Sequence, residues 1–213
     1  MTTPPSLMDD YLPTFDVSDS VAAIVNADPA TTWSYLMDAD LMEVGRRRPL
    51  VGTLNLLRAL PAVFGQLLRG EVPARPPVRL LFRDLAHLPQ ASGGWILLGE
   101  RERDEIAFGL VGRFWRPVIP FAPVHRDDFR DFSLPGYAKT IYSLRVHPLF
   151  GGRTLLTATM RTATTDASAR RWFRRYWTFG VGSGAHVLAQ GVIDLVKEAA
   201  EQRQQQTSLF ADA

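Results

Sequence analysis

Four histidines, His87, His125, His147 and His186, are the side chains that could transfer protons near neutral pH. None stands in an HExxH or zinc-finger spacing and the chain has no cysteine, so we predict neither a metal site nor a cofactor. Only His125 has carboxylates close by in sequence, in HRDDFRDF, where it could act as a base or help to hold a hard cation. Because arginines interleave with these aspartates, a solvated charged loop is the favoured interpretation.

Two tyrosines are the other candidates for acid–base chemistry. Tyr142 and Tyr176 could each donate a hydrogen bond to a ligand carbonyl. A tyrosine in a sheet more often packs through its ring and keeps its hydroxyl in water. No Ser-His-Asp set or carboxylate pair can be assembled from sequence spacing alone. The catalytic residues therefore stay unknown, with His125, Tyr142 and Tyr176 as weak candidates.

Length and composition describe one ordinary domain. The chain has 213 residues, of which 46% are hydrophobic and 22% charged, as in globular proteins with one core. It contains no apolar run of about 20 residues, so we expect no transmembrane segment. The N-terminus lacks the pattern of a secretory signal, and we expect a cytoplasmic protein.

The charge is close to balanced, with a net value of +2. The basic residues form short clusters rather than a dense stripe, so nucleic acid is not expected as a partner. One cluster, Arg170, Arg171, Arg174 and Arg175, falls on the polar side of a predicted helix. A solvated helix face is the favoured interpretation, and a weak anionic partner is the alternative.

The longest predicted element is a helix from Asp166 to about Gln202, whose apolar residues recur every three or four positions. Asp166 suits the N-cap of this helix. The glycines of FGVGSG interrupt the helical pattern. They predict a thin point, where the sheet comes close, the helix kinks or a ligand finds space.

The segments before this helix predict a sheet. A strand over 19–26 precedes Asp28-Pro29, an N-cap and first helical residue, and two short helices. Two hairpins follow, at 95–115 and 137–165. This order predicts an α+β fold in which a curved antiparallel sheet wraps the last helix.

The domain organisation follows from the same patterns. We predict a flexible N-terminal arm over 1–17, a single domain over 18–202 and a disordered tail over 203–213. An apolar segment near 50–70 is predicted to be a helical insertion that covers the core, with a lid or a partner-binding patch as the alternatives.

Several segments resemble the SRPBCC superfamily, the helix-grip group that includes START lipid-transfer domains and polyketide cyclases. They are GLVGRFWRP, PGYAK, TDASARRWFRRYW and the opening SVAAIVNADPATTWSYLMD. In the family's helix start, A-P-x-x-V-W-x-x-L-x-D, this chain has Asp28-Pro29 for the Ala-Pro and Trp33 for the Trp. The resemblance covers about residues 18–202, fits poorly over 45–90, and is similar to bacterial members with no assigned activity. It implies a cavity between sheet and helix that accepts a hydrophobic molecule.

The residues expected to line this cavity are mostly large apolar side chains of the strands and the last helix. They are Trp33 at one end, Phe108, Leu110, Phe114, Tyr142, Leu144, Leu156, Met160, Phe173, Trp177, Val181 and Leu188, with Gly184 at the cavity edge. Ordinary core packing is the alternative for each, since most interior apolar residues only pack.

Three functional hypotheses follow. The first is binding, transport or sensing of a hydrophobic small molecule, lipid- or polyketide-like, in the cavity. The second is a cyclase/dehydratase- or hydrolase-like enzyme that uses the same cavity. The third is a protein-interaction module that acts through the 50–70 segment, and a homodimer is kept as an open alternative.

Overall fold

A computed structural model describes residues 5–47, 78–87 and 95–211. Its helices are α1 (Leu7–Tyr11), α2 (Pro29–Met37), α3 (Leu41–Arg47), α4 (Ala167–Tyr176) and α5 (Gly182–Ala211), with short 3-10 helices at Phe82–His87 and Arg126–Asp128. Its strands are β1 (Val17–Val25), β2 (Ile96–Arg101), β3 (Glu105–Gly112), β4 (Ala138–Leu149) and β5 (Arg153–Thr164). The insertion predicted near 50–70 lies outside the described residues.

The strands form one antiparallel sheet in the order β1-β5-β4-β3-β2, so the first strand pairs with the last. Both predicted hairpins are present, β2–β3 and β4–β5. Gly151 and Gly152 turn the second one with φ angles of 79° and 68°, a region that glycine adopts without steric cost. The register places Tyr142 opposite both Phe108 and Met160, so these three side chains share one face of the sheet.

Helix α5 packs across that face, which we call the inner face. The helix residues buried against it are Val192, Ile193, Val196 and Ala200, and they share one core with Val21, Val25 and Leu156 of the strands. Helix α2 joins the same core after the predicted N-cap, in which Asp28 accepts from the N–H groups of Ala30 and Thr31 at 2.9 and 3.0 Å. The fold is α+β with the helix-grip arrangement, as predicted.

The C-terminal helix differs from the single rod predicted. Asp166 caps α4 as expected and accepts from the N–H groups of Ser168 and Ala169 at 2.7 and 2.9 Å. A π-helical turn at Trp177–Val181 then leads into α5, and the helix axis bends by 64°. Such turns are an established cause of bends. The helix also continues to Ala211, where a disordered tail was predicted from 203.

None of the described helices alone is long and apolar enough to cross a membrane. The segments 167–179 and 182–206 reach that length and composition only together, across the bend.

The outer face of the sheet carries a second core, and α1, which lies within the segment 1–17 predicted to be a flexible arm, is part of it. Met8 and Leu12 are buried there against Leu98, Phe129 and Ile141. The burial of Met8 and Leu12 holds α1 against the sheet, although the surrounding Pro, Thr and Asp residues are typical of a flexible segment.

A fully buried carboxylate ties this N-terminal segment to the sheet. Glu105 accepts from the hydroxyls of Ser6 and Ser143, both at 2.6 Å, and from the Leu7 N–H at 3.0 Å. Arg145 Nε lies 3.5 Å from the same carboxylate. Because burying a charge is costly without such partners, the segment and the carboxylate stabilise each other.

We expect Glu105→Ala to lower the free energy of unfolding by about 1–3 kcal/mol, since it leaves two hydroxyls and the partly buried Arg145 without their shared acceptor. Urea denaturation followed by circular dichroism measures this change. The matched control is Glu100→Ala on β2, whose side chain is exposed and should alter stability little. Equal effects of the two substitutions would contradict the assignment.

Candidate functional site

The described residues line two apolar cavities between the sheet and the helices, and both cavities are partly open to solvent. The larger has a volume of about 370 Å³. Its lining comes from the strands, from α3, from α5 and from the segment around the first 3-10 helix: Leu41, Met42, Leu80, Phe82, Leu85, Trp95, Phe108, Tyr142, Leu144, Ala158, Leu188, Ala189 and Val192. A volume of this size lies at the lower end of the range for small-molecule pockets.

The smaller cavity has a volume of about 190 Å³ and lies towards α4. Its lining residues are Trp95, Leu110, Phe114, Ile119, Thr140, Tyr142, Met160, Thr162, Phe173, Tyr176, Trp177 and Ala185. Trp95 and Tyr142 line both cavities, and their rings meet edge to face with centroids 5.2 Å apart. This aromatic pair therefore forms a partition between the two spaces.

The polar groups around the cavities are few. In the larger cavity the described lining residues offer only the Tyr142 hydroxyl and the Trp95 indole N–H as side-chain polar groups. In the smaller one, Thr140 and Thr162 hydrogen-bond to each other at 2.8 Å. No charged side chain of the described residues lines either cavity. The arrangement suits an uncharged, largely apolar molecule.

Most of the predicted lining residues surround these cavities. Those at the larger one are Phe108, Tyr142, Leu144 and Leu188, and those at the smaller one are Leu110, Phe114, Tyr142, Met160, Phe173 and Trp177. Their contact with a ligand stays a prediction.

Four predicted residues lie elsewhere. Trp33 and Leu156 are buried in the packed core between α2, α5 and the sheet. Gly184 directly precedes Ala185, which lines the smaller cavity. The side chain of Val181 lies outside the described part of the structure.

The catalytic candidates lie on opposite faces of the sheet. Tyr142 and Tyr176 line the cavities, whereas His125 lies in the loop next to Val124 and Phe129, which pack on the outer face. His125 Nδ1 accepts from the Asp127 N–H at 3.4 Å and caps the second 3-10 helix. It is therefore placed to shape a surface loop rather than to act inside a cavity.

His147 belongs to the same outer side of β4. Its pKa is lowered, first by burial and then by the positive charge of Arg145. Both effects favour the neutral imidazole there.

Sequence reasoning missed a histidine–carboxylate pair beside the smaller cavity. His186 Nδ1 lies 3.0 Å from Asp19 Oδ2. Asp19 pairs in register with Met160, and His186 follows Ala185, and both of these neighbours line the cavity. The available signal was that Asp19 alternates in phase with Val21, at an inner-face position. Its partner is too distant in sequence for any local pattern to link them.

At the predicted thin point in the C-terminal helix, the nearest atoms belong to a side chain of the same helical segment rather than to the sheet. A Cβ at Gly182 would lie only 2.7 Å from Trp177 Cε2 and 2.9 Å from its Nε1. Glycine therefore lets the Trp177 ring lie against the start of α5, where it forms part of the smaller cavity.

No family model matches the sequence, and no curated protein matches it. Among solved structures, a hypothetical protein from Helicobacter pylori shares 9% identity over 94% of this chain and 99% of its own, with a TM-score of 0.41. Norcoclaurine synthase from Thalictrum flavum shares 12% identity over 84% of this chain and 96% of its own, with a TM-score of 0.31. The ZhuI aromatase/cyclase from Streptomyces shares 11% identity over 82% of this chain and 93% of its own, with a TM-score of 0.25.

These likenesses are distant, so the fold assignment rests on the strand order and on the packing of α5 described above. Fold and site together define a helix-grip α+β protein with apolar space between its sheet and its helices.

We expect Gly182→Ala to displace the Trp177 ring and to destabilise the protein, although alanine is the better helix former by about 1 kcal/mol. Thermal unfolding and the Trp177 side-chain resonance in an NMR spectrum measure the two effects. The matched control is Gly45→Ala on α3, where a Cβ would meet nothing within 4 Å. This control should keep or raise the melting temperature, and a loss as large as that of Gly182→Ala would contradict the close-approach explanation.

Proposed function

We propose that this protein binds a hydrophobic small molecule, lipid- or polyketide-like, in the larger cavity. The observation that carries the proposal is a space of about 370 Å³ whose described lining residues are apolar apart from one phenol and one indole N–H. A space of this kind offers little to an ionic ligand, because no lining group of the described residues could compensate the lost hydration of a charge. The cavity suits a ligand that consists mostly of aliphatic or aromatic carbon.

Affinity would come from burial of the ligand's apolar surface, at about 0.8 kcal/mol for each CH₂ group. The Tyr142 hydroxyl and the Trp95 N–H are the groups that would orient a single carbonyl or hydroxyl of the ligand. Since these residues also form the partition, a ligand would carry its polar end at the partition and its apolar end towards Leu188 and Val192.

Two alanines on α5 provide a matched test of which cavity is used. Ala185 lines the smaller cavity and Ala189 the larger one, a single helical turn apart. We expect Ala189→Leu to weaken binding of the neutral fluorophore N-phenyl-1-naphthylamine by about tenfold or more, because the added carbon atoms occupy the ligand space. Ala185→Leu should leave the affinity near that of the wild type. Fluorescence titration measures both.

Native mass spectrometry of the purified protein, with and without denaturation, checks that a natural apolar molecule occupies the site. Equal loss of dye binding in the two variants, or no loss in either, would contradict the assignment to the larger cavity. Urea denaturation of both variants separates ligand exclusion from loss of the fold.

The His186–Asp19 pair favours a second candidate function, an acid–base enzyme of the hydrolase-like kind that works in the smaller cavity. A carboxylate next to an imidazole can hold the ring in one orientation and one tautomer, as a general base requires. Tyr142 and Tyr176 in the lining could donate a hydrogen bond to a reacting carbonyl.

For this candidate we expect His186→Asn to reduce hydrolysis of p-nitrophenyl butyrate, an apolar ester, by about a hundredfold or more. His125→Asn on the outer side is the control and should keep the wild-type rate. An ester turnover that is absent in the wild type, or unchanged in His186→Asn, would exclude this use of the pair.

A further inference from the structure

The outward side of α4 and of the π-helical turn exposes large aromatic side chains. Trp172 is 53% exposed and Phe179 is 86% exposed. With Arg175, whose guanidinium lies 5.5 Å from the centre of the Trp172 ring, they follow the three- and four-residue spacing of one helix side. The opposite side of the same segment carries Phe173 and Tyr176, which line the smaller cavity.

The charge on this surface has one sign. Helix α4 holds four arginines and no acidic residue. Arg170 pairs with Asp16 at 2.7 Å. Within the described part of the chain, no carboxylate lies within 4.0 Å of Arg171, Arg174 or Arg175. The exposed Trp172 therefore lies on a helix whose positive charge is largely left without a carboxylate partner by the described residues.

A recess of about 370 Å³ beside Trp172 extends the positive surface. Its lining comes from the loop after β3 and from the start of α4: Arg113, Trp115, Arg116, Pro117, Gly136, Ser168, Ala169 and Trp172. Among the described residues, the buried Nε of Arg113 has no hydrogen-bond acceptor. An unused buried donor beside an exposed arginine favours an anionic group at this position.

We propose that this surface, which we call the α4 surface, docks on a negatively charged lipid membrane. Tryptophan and phenylalanine on an amphipathic helix enter the interface between headgroups and acyl chains, while neighbouring arginines bind lipid phosphates. The clustering of arginines without acidic residues favours an anionic bilayer over a second copy of the chain, since two such surfaces would repel each other.

Docking would have a consequence that rests on the function proposed above. The helix that contacts the membrane on one side lines the smaller cavity on the other, so the apolar interior would lie next to the bilayer. A hydrophobic molecule could then pass between membrane and protein without crossing water.

Co-sedimentation of the full chain with phosphatidylcholine vesicles, with or without phosphatidylglycerol, tests the proposal. We expect binding to the anionic vesicles only, and weaker binding as salt is raised. The double variant Arg171→Gln/Arg174→Gln should lower the partition coefficient by about 30-fold. Trp172→Ser/Phe179→Ser should also lower it, because the apolar insertion is lost.

Matched controls lie at the β4–β5 turn. Phe150 is 96% exposed, and Arg153 is the neighbouring exposed arginine. Because the strands β4 and β5 are 12 residues each, this turn lies about 40 Å from the start of α4. Phe150→Ser/Arg153→Gln should bind anionic vesicles like the wild type.

Equal binding to neutral and anionic vesicles, or equal losses in the control and the α4 variants, would overturn the proposal. So would a dimer in size-exclusion chromatography that the α4 substitutions dissociate, because the occupant would then be a second copy. Titration with N-phenyl-1-naphthylamine keeps the two proposals distinguishable. Vesicle binding without dye binding leaves the docking proposal standing and rejects the cavity proposal, and the reverse result rejects only docking.

Discussion

Packing of α5 on the inner face of the sheet is the interaction on which the rest of the structure depends. The middle of this helix is close to β1 and β5, where Ile193 and Ala200 are fully buried. Towards its N-terminus the same helix lines both cavities, through Ala185, Leu188 and Ala189, opposite the rings of Trp95 and Tyr142. The apolar space therefore lies between the N-terminal part of α5 and the inner face of the sheet.

The sheet can keep a hollow on one face because its other face is densely packed. Along β3 nearly every residue is buried, and the inner positions alternate with outer ones that contact α1 and the loop before β4. The buried Glu105 fixes α1 against the strands that hold Phe108 and Tyr142 on the inner side. Stability supplied by the outer layer offsets the packing contacts that the cavities forgo.

Alternation along strands and helical periodicity were enough to predict the fold class, both hairpins and fewer than half of the residues that line the two cavities. Side-chain direction in a strand is set by position alone, so Phe108, Tyr142 and Met160 fall together once the hairpins are found. Two features that no local repeat of the sequence marks were missed. One is the place of Trp95, at the start of a strand, in the lining of both cavities, and the other is the pairing of Asp19 with His186 across almost the whole chain. The predicted C-terminal helix spans α4 and α5, and the kink that was one alternative at FGVGSG is present as the bend at the π-helical turn.

That bend determines how both sides of α4 are used. A straight continuation of α5 would carry α4 along the axis of the long helix, whereas the π-helical turn redirects it by 64°. In this orientation Phe173 is buried under the helix and Trp172, its neighbour in sequence, is exposed on top. Because of the wider π-helical turn, one side of α4 lines the smaller cavity. The other side of α4 presents an aromatic, arginine-rich surface.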